Sequence, residues 1–380
     1  MFIDVYAIHN VPPSNINRDD TGSPKTAMYG GVLRSRVSSQ AWKRAMREMF
    51  PTLLPEGSLG VRTKLIVRLL AEQIAELRPD LADSASDYAV AVLTAAGVKV
   101  KKSTRQGSDK ESDETGYLIF ISRAEIRALA RVAVEWADQG IDLKKVDAKL
   151  KKKVSSAFKG HQAVDVALFG RMLAEAPDFN TDASAQVAHA ISVDRITQEY
   201  DYFTAVDDCA AEDNAGAGMI GTVDFNSSTL YRYATVNVDA LFEQLEDAEA
   251  TTRACAAFVD AFVRSMPTGK QNTFANRTLP STVCVAVRSD QPINVVGAFE
   301  DPVRPIEGMS ISRQAATRLA EELDLVEGAY AQPADGKWCT TVEKADSDEL
   351  SALGERMGFK DLIDQVSGAV ASHLQHEEER

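Results

Sequence analysis

The apolar residues of this chain change period twice. Residues 2–9 form a short stretch with hydrophobic side chains on both faces, which predicts a strand in the middle of a sheet. Apolar positions then recur at helical spacing. Residues 38–50, 61–77 (VRTKLIVRLLAEQIAEL), 122–138, 143–159 and 162–175 each predict a helix. Alternation then returns: Val187, His189, Ile191 and Val193 take turns with Ala188, Ala190, Ser192 and Asp194 over 186–196. Residues 228–238 (STLYRYATVNV) and 281–288 (STVCVAVR) are further strands, with a helix at 251–266 between them and late helices at 310–323 and 360–374. The early strand must find its partners across a long helical block. The fold class is therefore α+β, an antiparallel sheet interrupted by a mostly helical insertion at 51–184.

The remaining segments are connections. Residues 10–30 (NVPPSNINRDDTGSPKTAMYG) are a loop by their prolines, Asn, Asp and Gly. Residues 103–116 are polar, and the stretch ending in AEDNAGAGMIG reads as a flexible excursion between two strands. No apolar run approaches the roughly 18 residues that a bilayer span needs. The N-terminus carries Asp4 and no basic region, so it does not read as a signal peptide. Cys209, Cys255, Cys284 and Cys339 form no CxxC pair and the five histidines are scattered. This predicts reduced thiols in a cytoplasmic protein with no metal and no cofactor.

One stretch runs against the formal net charge of -14: GGVLRSRVSSQAWKRAMREMF at 30–50 holds five basic residues and one acid. With Ser38 or Ser39 as N-cap, Gln40, Lys43, Arg44 and Arg47 fall within an arc of about 100°. Trp42, Ala45, Met46 and Met49 lie opposite, with Phe50 beside them, and Arg34 and Arg36 extend the stripe. Glu48 alone is placed to pair with Arg44 at i,i+4. A solvated face is the plain reading. A row of Arg and Lys beside a polar Gln, in an otherwise acidic chain, also suits the phosphate backbone of a nucleic acid.

Several motifs resemble, in order and spacing, the CasC-type backbone subunit of the type I-E CRISPR Cascade complex. They are NRDD at 17–20, GG at 30–31, RVSSQAWKRAMR at 36–47, VDVALFGRM at 164–172, AHAI at 188–191, FTAVDD at 203–208 and LYRYA at 230–234. The resemblance covers roughly residues 1–300 and fades beyond. It implies a hand: a ferredoxin-like, RRM-type antiparallel palm at 1–50 plus 185–340, helical fingers at 51–184, and a thumb at 197–222. Residues 341–380 remain a C-terminal helical segment. The sheet of such a palm is a platform for single-stranded RNA. The implied partners are the guide crRNA, further copies of the chain in a helical filament, and the large, small and crRNA-end subunits. Target DNA would be met through the guide, and no membrane is involved.

Carried onto this sequence, the resemblance implies backbone contacts to RNA from Arg18, Lys25, Arg34, Arg36, Ser38, Gln40, Lys43, Arg44 and Arg47. Phe203 and Thr204 become a wedge that splays out one base at intervals, and Met172 packs at that kink. Without the family, Met172 reads as a core residue of helix 162–175, and Tyr200, Tyr202 and Phe203 as minor core under a loop. Lys270 and Gln271 in GKQNTF are donors in a Gly-led loop. Lys144, Lys145, Lys149 and Lys152 offer a basic strip for the incoming DNA duplex. The reading is a scaffold with no catalytic residue. The alternative is a backbone subunit that cuts target RNA with Asp19 or Asp20, although an acid beside Arg18 reads more simply as a loop ion pair.

Overall fold

In the computed structural model, strand β1 (Phe2–Ser14) lies inside a ten-stranded sheet. The structure describes residues 1–101, 113–143, 145–159, 162–173, 176–205, 219–330, 332–343 and 348–378. From one edge the strands run Glu355–Arg356, Gly336–Thr341, Thr282–Arg288, β1, Met219–Asn237, Ala190–Ser192, β3 (Val32–Val37) and β2 (Thr26–Tyr29). β1 pairs antiparallel on both sides, Tyr6 standing opposite Tyr233 in one neighbour and Cys284 in the other. The first edge pair is parallel, so the sheet is mixed. In chain order β1, helix α1 (Ser39–Met49), Ala190–Ser192, Met219–Asn237, helix Ala248–Arg264 and Thr282–Arg288 alternate as β-α-β-β-α-β. The four strands of that unit lie in the spatial order fourth, first, third, second.

The doubly apolar β1 is buried on both faces, as its sequence demands. Ile3, Val5 and Ala7 point to one side and Tyr6 and Ile8 to the other, all fully buried. Tyr6, Ile8, Tyr231 and Tyr233 form a core with Ala315, Ala316, Leu319 and Leu323 of helix Ile311–Tyr330. The central aromatics Tyr6, Tyr231 and Tyr233 are thus packed beneath that helix and are not open as a platform for RNA. Asp4 sits on the same side and is also fully buried. Its carboxylate accepts from Tyr233 Oη at 2.8 Å, Ile293 N at 3.0 Å and Arg288 Nε at 3.1 Å. Burial pushes its pKa up and these partners pull it back.

On the other face α1 docks through a stack. The Arg232 guanidinium lies 3.6 Å from the Trp42 ring centre and 4.5 Å from that of Phe262. It donates to His9 Nδ1 at 3.0 Å, which leaves His9 Nε2 to donate to Thr278 O at 3.2 Å. Burial, reinforced by Arg232, holds His9 neutral, with a pKa of about 3.

Three local predictions are corrected here. The described ends of the Gly-rich excursion form a two-stranded ribbon: Glu199–Ala205 pairs with the start of the 19-residue strand Met219–Asn237, Glu199 opposite Phe225. That strand begins nine residues before 228, and residues 206–218 lie outside the described residues. The alternation at 186–196 is split into Ala185–Val187 and Ala190–Ser192. The GG motif makes the two-residue turn of the β2–β3 hairpin, with Gly30 and Gly31 at φ 57° and 74°. A Cβ on Gly30 would lie 1.6 Å from Glu300 O, so that position also needs glycine for space.

The chain divides into two units, Met1–Phe50 with Gln186–Val238 and Cys255–Arg380, and Pro51–Ala185 with Asp239–Ala254. The second packs Leu70, Ile74, Val92, Leu93, Leu129, Ala133 and Trp136 from its helices into one core. Residues 61–63 are strand rather than helix, since Gly60–Thr63 pairs with Ile119–Ser122, and the helix starts at Ile66. The basic helix is Ala148–Lys159, begun by Asp147, whose carboxylate accepts Leu150 N at 2.8 Å. The next helix is only Val164–Phe169, because Gly170 takes φ 78° and ends it. No helix among the described residues is long and apolar enough to cross a membrane.

Candidate nucleic-acid interface

The two sides of α1 separate as its sequence requires. Trp42, Ala45 and Met46 are buried, while Gln40 and Arg44 are exposed and Lys43 and Arg47 are half-buried. Ser38 is the N-cap, its Oγ accepting from Ala41 N at 3.3 Å. The first turn carries no acid, so the positive helix end is not neutralised locally. Arg44 pairs with Glu48 at 2.8 Å, a surface pair worth little that a phosphate can displace. Burial pushes the Lys43 ammonium pKa down from its ordinary value.

Arg34 does not belong to the stripe. It is fully buried, and its guanidinium donates to the carbonyls of Tyr29 (3.1 Å), Ser192 (2.9 Å), Phe299 (2.8 Å) and Glu300 (3.1 Å). It fastens the β2–β3 hairpin to residues 299–300 and has no surface to offer RNA. Arg36, two residues on, does reach the surface: its Nε donates to Thr26 O at 3.2 Å and its Nη1 to His189 Nδ1 at 3.1 Å. Lys25 is close enough to both to lower the His189 pKa, after partial burial and Arg36.

The loop after β1 ties these groups together. Asn17 accepts Lys25 N at 2.9 Å on its main-chain oxygen and Ser38 N at 2.8 Å on its side chain. One residue of the NRDD motif thus sets the spacing of two expected phosphate contacts. Arg18 is exposed on this loop. Asp19 does not pair with Arg18, as the sequence reading had it. Its carboxylate accepts from Thr21 N (2.9 Å), Thr21 Oγ1 (2.7 Å) and Ser23 N (3.0 Å). The Thr21 hydroxyl, followed by these amides, holds its pKa below the usual carboxylate range.

The Gly-led loop is pressed onto the same place. A Cβ on Gly269 would lie 2.4 Å from Ile16 O, and Lys270 takes a left-handed φ of 50° before the single turn Gln271–Phe274. Lys270 and Gln271 are both half-buried there. Phe274 stacks at 5.7 Å against Phe225 in the ribbon. Phe225 and Phe203 share one ribbon face, and the Phe203 ring lies over Gly221, where a Cβ would meet it at 2.5 Å. Phe203 and Thr204 are neighbours in a strand and so point to opposite faces; they do not form one wedge surface. Tyr200 and Tyr202 are 65% and 64% exposed on the Thr204 side, which overturns the minor-core reading.

In the second unit, Met172 is 81% exposed and is not core. Its neighbours hold it out: Leu173 is fully buried, and buried Arg171 pairs with Glu125 at 2.8 Å and donates to Phe179 O at 3.0 Å. Lys149 and Lys152 are exposed on the helix and Lys145 is exposed before it; Lys144 lies outside the described residues. Lys153 pairs with Glu135. Among the described residues no group of three or more His, Cys, Asp or Glu could hold a metal ion. Sequence reasoning missed Asn17 as a spacer and His189 as a surface group. Both sit in quoted motifs, NRDD and AHAI, which was the available signal.

Known proteins agree with this picture. The model of the CT1975-like protein family matches residues 3–365, well past the roughly 300 residues of motif resemblance. A solved chain described as "CRISPR RNA-guided surveillance complex, pre-nicking" is 38% identical, with a TM-score of 0.81, covering 97% of this chain and 100% of that one. Another, described as "CRISPR RNA-guided surveillance complex", is 33% identical, with a TM-score of 0.73 and the same coverage. Among curated proteins nothing matches. With a family model spanning nearly its whole length, the chain belongs to the CT1975-like family of Cas proteins.

Proposed function

We propose that this chain is a non-catalytic, guide-RNA-binding backbone subunit of a type I-E CRISPR surveillance complex. Several copies stack along one crRNA into a filament with the large, small and crRNA-end subunits, and present the guide for pairing with target DNA. The observation that carries this reading is the outward cationic face of α1, set beside Lys25 and Arg36 by Asn17. Such a face grips phosphates and leaves bases free, which a subunit serving any guide sequence requires. The β-α-β-β-α-β order supports a ferredoxin-like palm, the helical unit suits fingers, and the exposed ribbon suits a thumb. The full-length likeness to chains of RNA-guided complexes supports the partners. The Lys149 and Lys152 side favours weak attraction of a duplex, multiplied along the filament.

The scaffold reading over ribonuclease is supported by Asp19, whose Oδ1 is taken up by Thr21 N, Thr21 Oγ1 and Ser23 N of its own turn. The test is to purify the native protein and extract its nucleic acid. RNA of one discrete length is expected; absence of nucleic acid, or a broad mixture of lengths, would overturn the proposal.

A further inference from the structure

We infer that His189 is an additional RNA contact, donating a hydrogen bond from a neutral imidazole to a phosphate oxygen of the guide. The inference rests on the RNA-binding reading and extends it to a residue of the AHAI motif that the sequence did not mark as a contact. A guanidinium can only donate, so the 3.1 Å contact between Arg36 Nη1 and His189 Nδ1 makes Nδ1 the acceptor. The imidazole is then the Nε2–H tautomer, and Nε2 is left as a fixed donor. Partial burial and the charges of Arg36 and Lys25 all oppose a second proton on the ring. The same logic operates at buried His9, where Arg232 holds Nδ1 and Nε2 meets Thr278. At His189 the residue is exposed and no protein partner for Nε2 occurs among the described contacts.

The surroundings fix the ligand class. Lys25 and Arg36 set positive charge beside His189, Arg36 in direct contact with it. Cations and a neutral N–H suit an oxyanion. In a chain that follows a polynucleotide, that oxyanion is a backbone phosphate.

The test uses the full-length chain and single-stranded RNA of fixed length, with DNA of the same sequence as a second probe. Wild-type binding is the control; if it fails, the underlying functional reading fails and not this inference alone. Given binding, His189→Ala is expected to weaken it about threefold to tenfold, the range of one net hydrogen bond. His189→Gln, which keeps an N–H donor, is expected to recover most of that. Neither variant changes the dependence of log K on log salt, because a neutral donor releases no counterion, whereas Arg36→Ala lowers that slope by about 0.7. The loss persists when His189→Ala is made on Arg36→Ala, and is equal on RNA and DNA. Unchanged affinity, a slope that falls with His189→Ala, loss confined to RNA, or no loss on the Arg36→Ala background would each overturn the inference. Melting temperatures confirm that every variant is folded.

Discussion

Arg34 and Arg36 are two residues apart in one strand, and a comparison of their alanine variants tests the division between structure and binding. Arg34→Ala strands the carbonyls of Tyr29, Ser192, Phe299 and Glu300, which it now holds at 2.8–3.1 Å. A hydrogen bond to a charged donor contributes about 1.5–3 kcal/mol, but desolvation of the buried guanidinium offsets much of the sum. Its burial is indeed the leading cause of a lowered Arg34 pKa. Leaving acceptors unpaired around a void then costs a net of about 3–5 kcal/mol. For a unit of this size that is a fall in melting temperature of roughly 10 °C. Arg34→Lys does not restore it, since one ammonium cannot span the hairpin and residues 299–300 together. Arg36→Ala is expected to do the reverse, melting within about 2 °C of wild type while losing RNA affinity with a shallower salt slope. Thermal unfolding and salt-dependent RNA binding on the same preparations decide it. An Arg34→Ala protein of wild-type stability that loses salt-dependent RNA binding would refute the burial argument.

Lys43→Ala with Arg44→Ala is expected to leave melting unchanged and to weaken binding equally for unrelated guide sequences, as phosphate contacts carry no sequence information; a sequence-selective loss in filter binding contradicts this. Asp19→Asn with Asp20→Asn is expected to leave guide-directed interference with DNA at its wild-type rate; a guide-dependent RNA cut by the wild type, lost in this variant, would favour the ribonuclease instead. Phe203→Ala is expected to lose about 1–3 kcal/mol of stacking per splayed base, seen as fading of a periodic single-strand probing pattern. An unchanged pattern with a stability loss of roughly 3–5 kcal/mol would make Phe203 a core residue. Met172→Ala is expected to leave melting unchanged, whereas Leu173→Ala costs about 2–5 kcal/mol; equal melting of the two counts against the alternation seen around Gly170.

Periodicity carried the reading of β1 and α1 because both faces of each element are specified by their own residues. Ile3, Val5, Tyr6 and Ile8 demand cover on two sides, and Trp42, Ala45 and Met46 demand it on one. What periodicity could not convey was which distant segment provides the cover. Arg34 has the same strand parity as Arg36, and only residues 299–300, some 265 positions away, decide that it is swallowed. Helix Ile311–Tyr330 closes the sheet face in the same way. Gly170 ended a helix that the apolar spacing continued, and Gly221, read as part of a flexible excursion, lies in a strand whose pairing partner is Glu199–Ala205. In each case backbone geometry or a remote contact outweighed local pattern.

Because both faces of β1 are covered, the groups that could grip RNA in this unit come from α1, from β3 and from the loop after β1, and loops are ordinarily the least rigid parts. Here they are fastened to one another. Asn15 Nδ2 donates to Gly22 O and Asp224 O at 2.9 Å each, joining the loop to the base of the ribbon. Asn17 couples Lys25 to the cap of α1, and Lys25 O accepts Arg36 N at 2.9 Å. Gly269 closes against the carbonyls of Asn15 and Ile16, leaving no room for a side chain. A protein that recognises only backbone has no base contact to set its register, so the distance between its own donors must do so. On the proposed RNA-binding reading, loop 15–25 would be that ruler. Its short polar residues, which read in the sequence as mere loop composition, fasten the main chain of Lys25 to Arg36 and to the cap of α1.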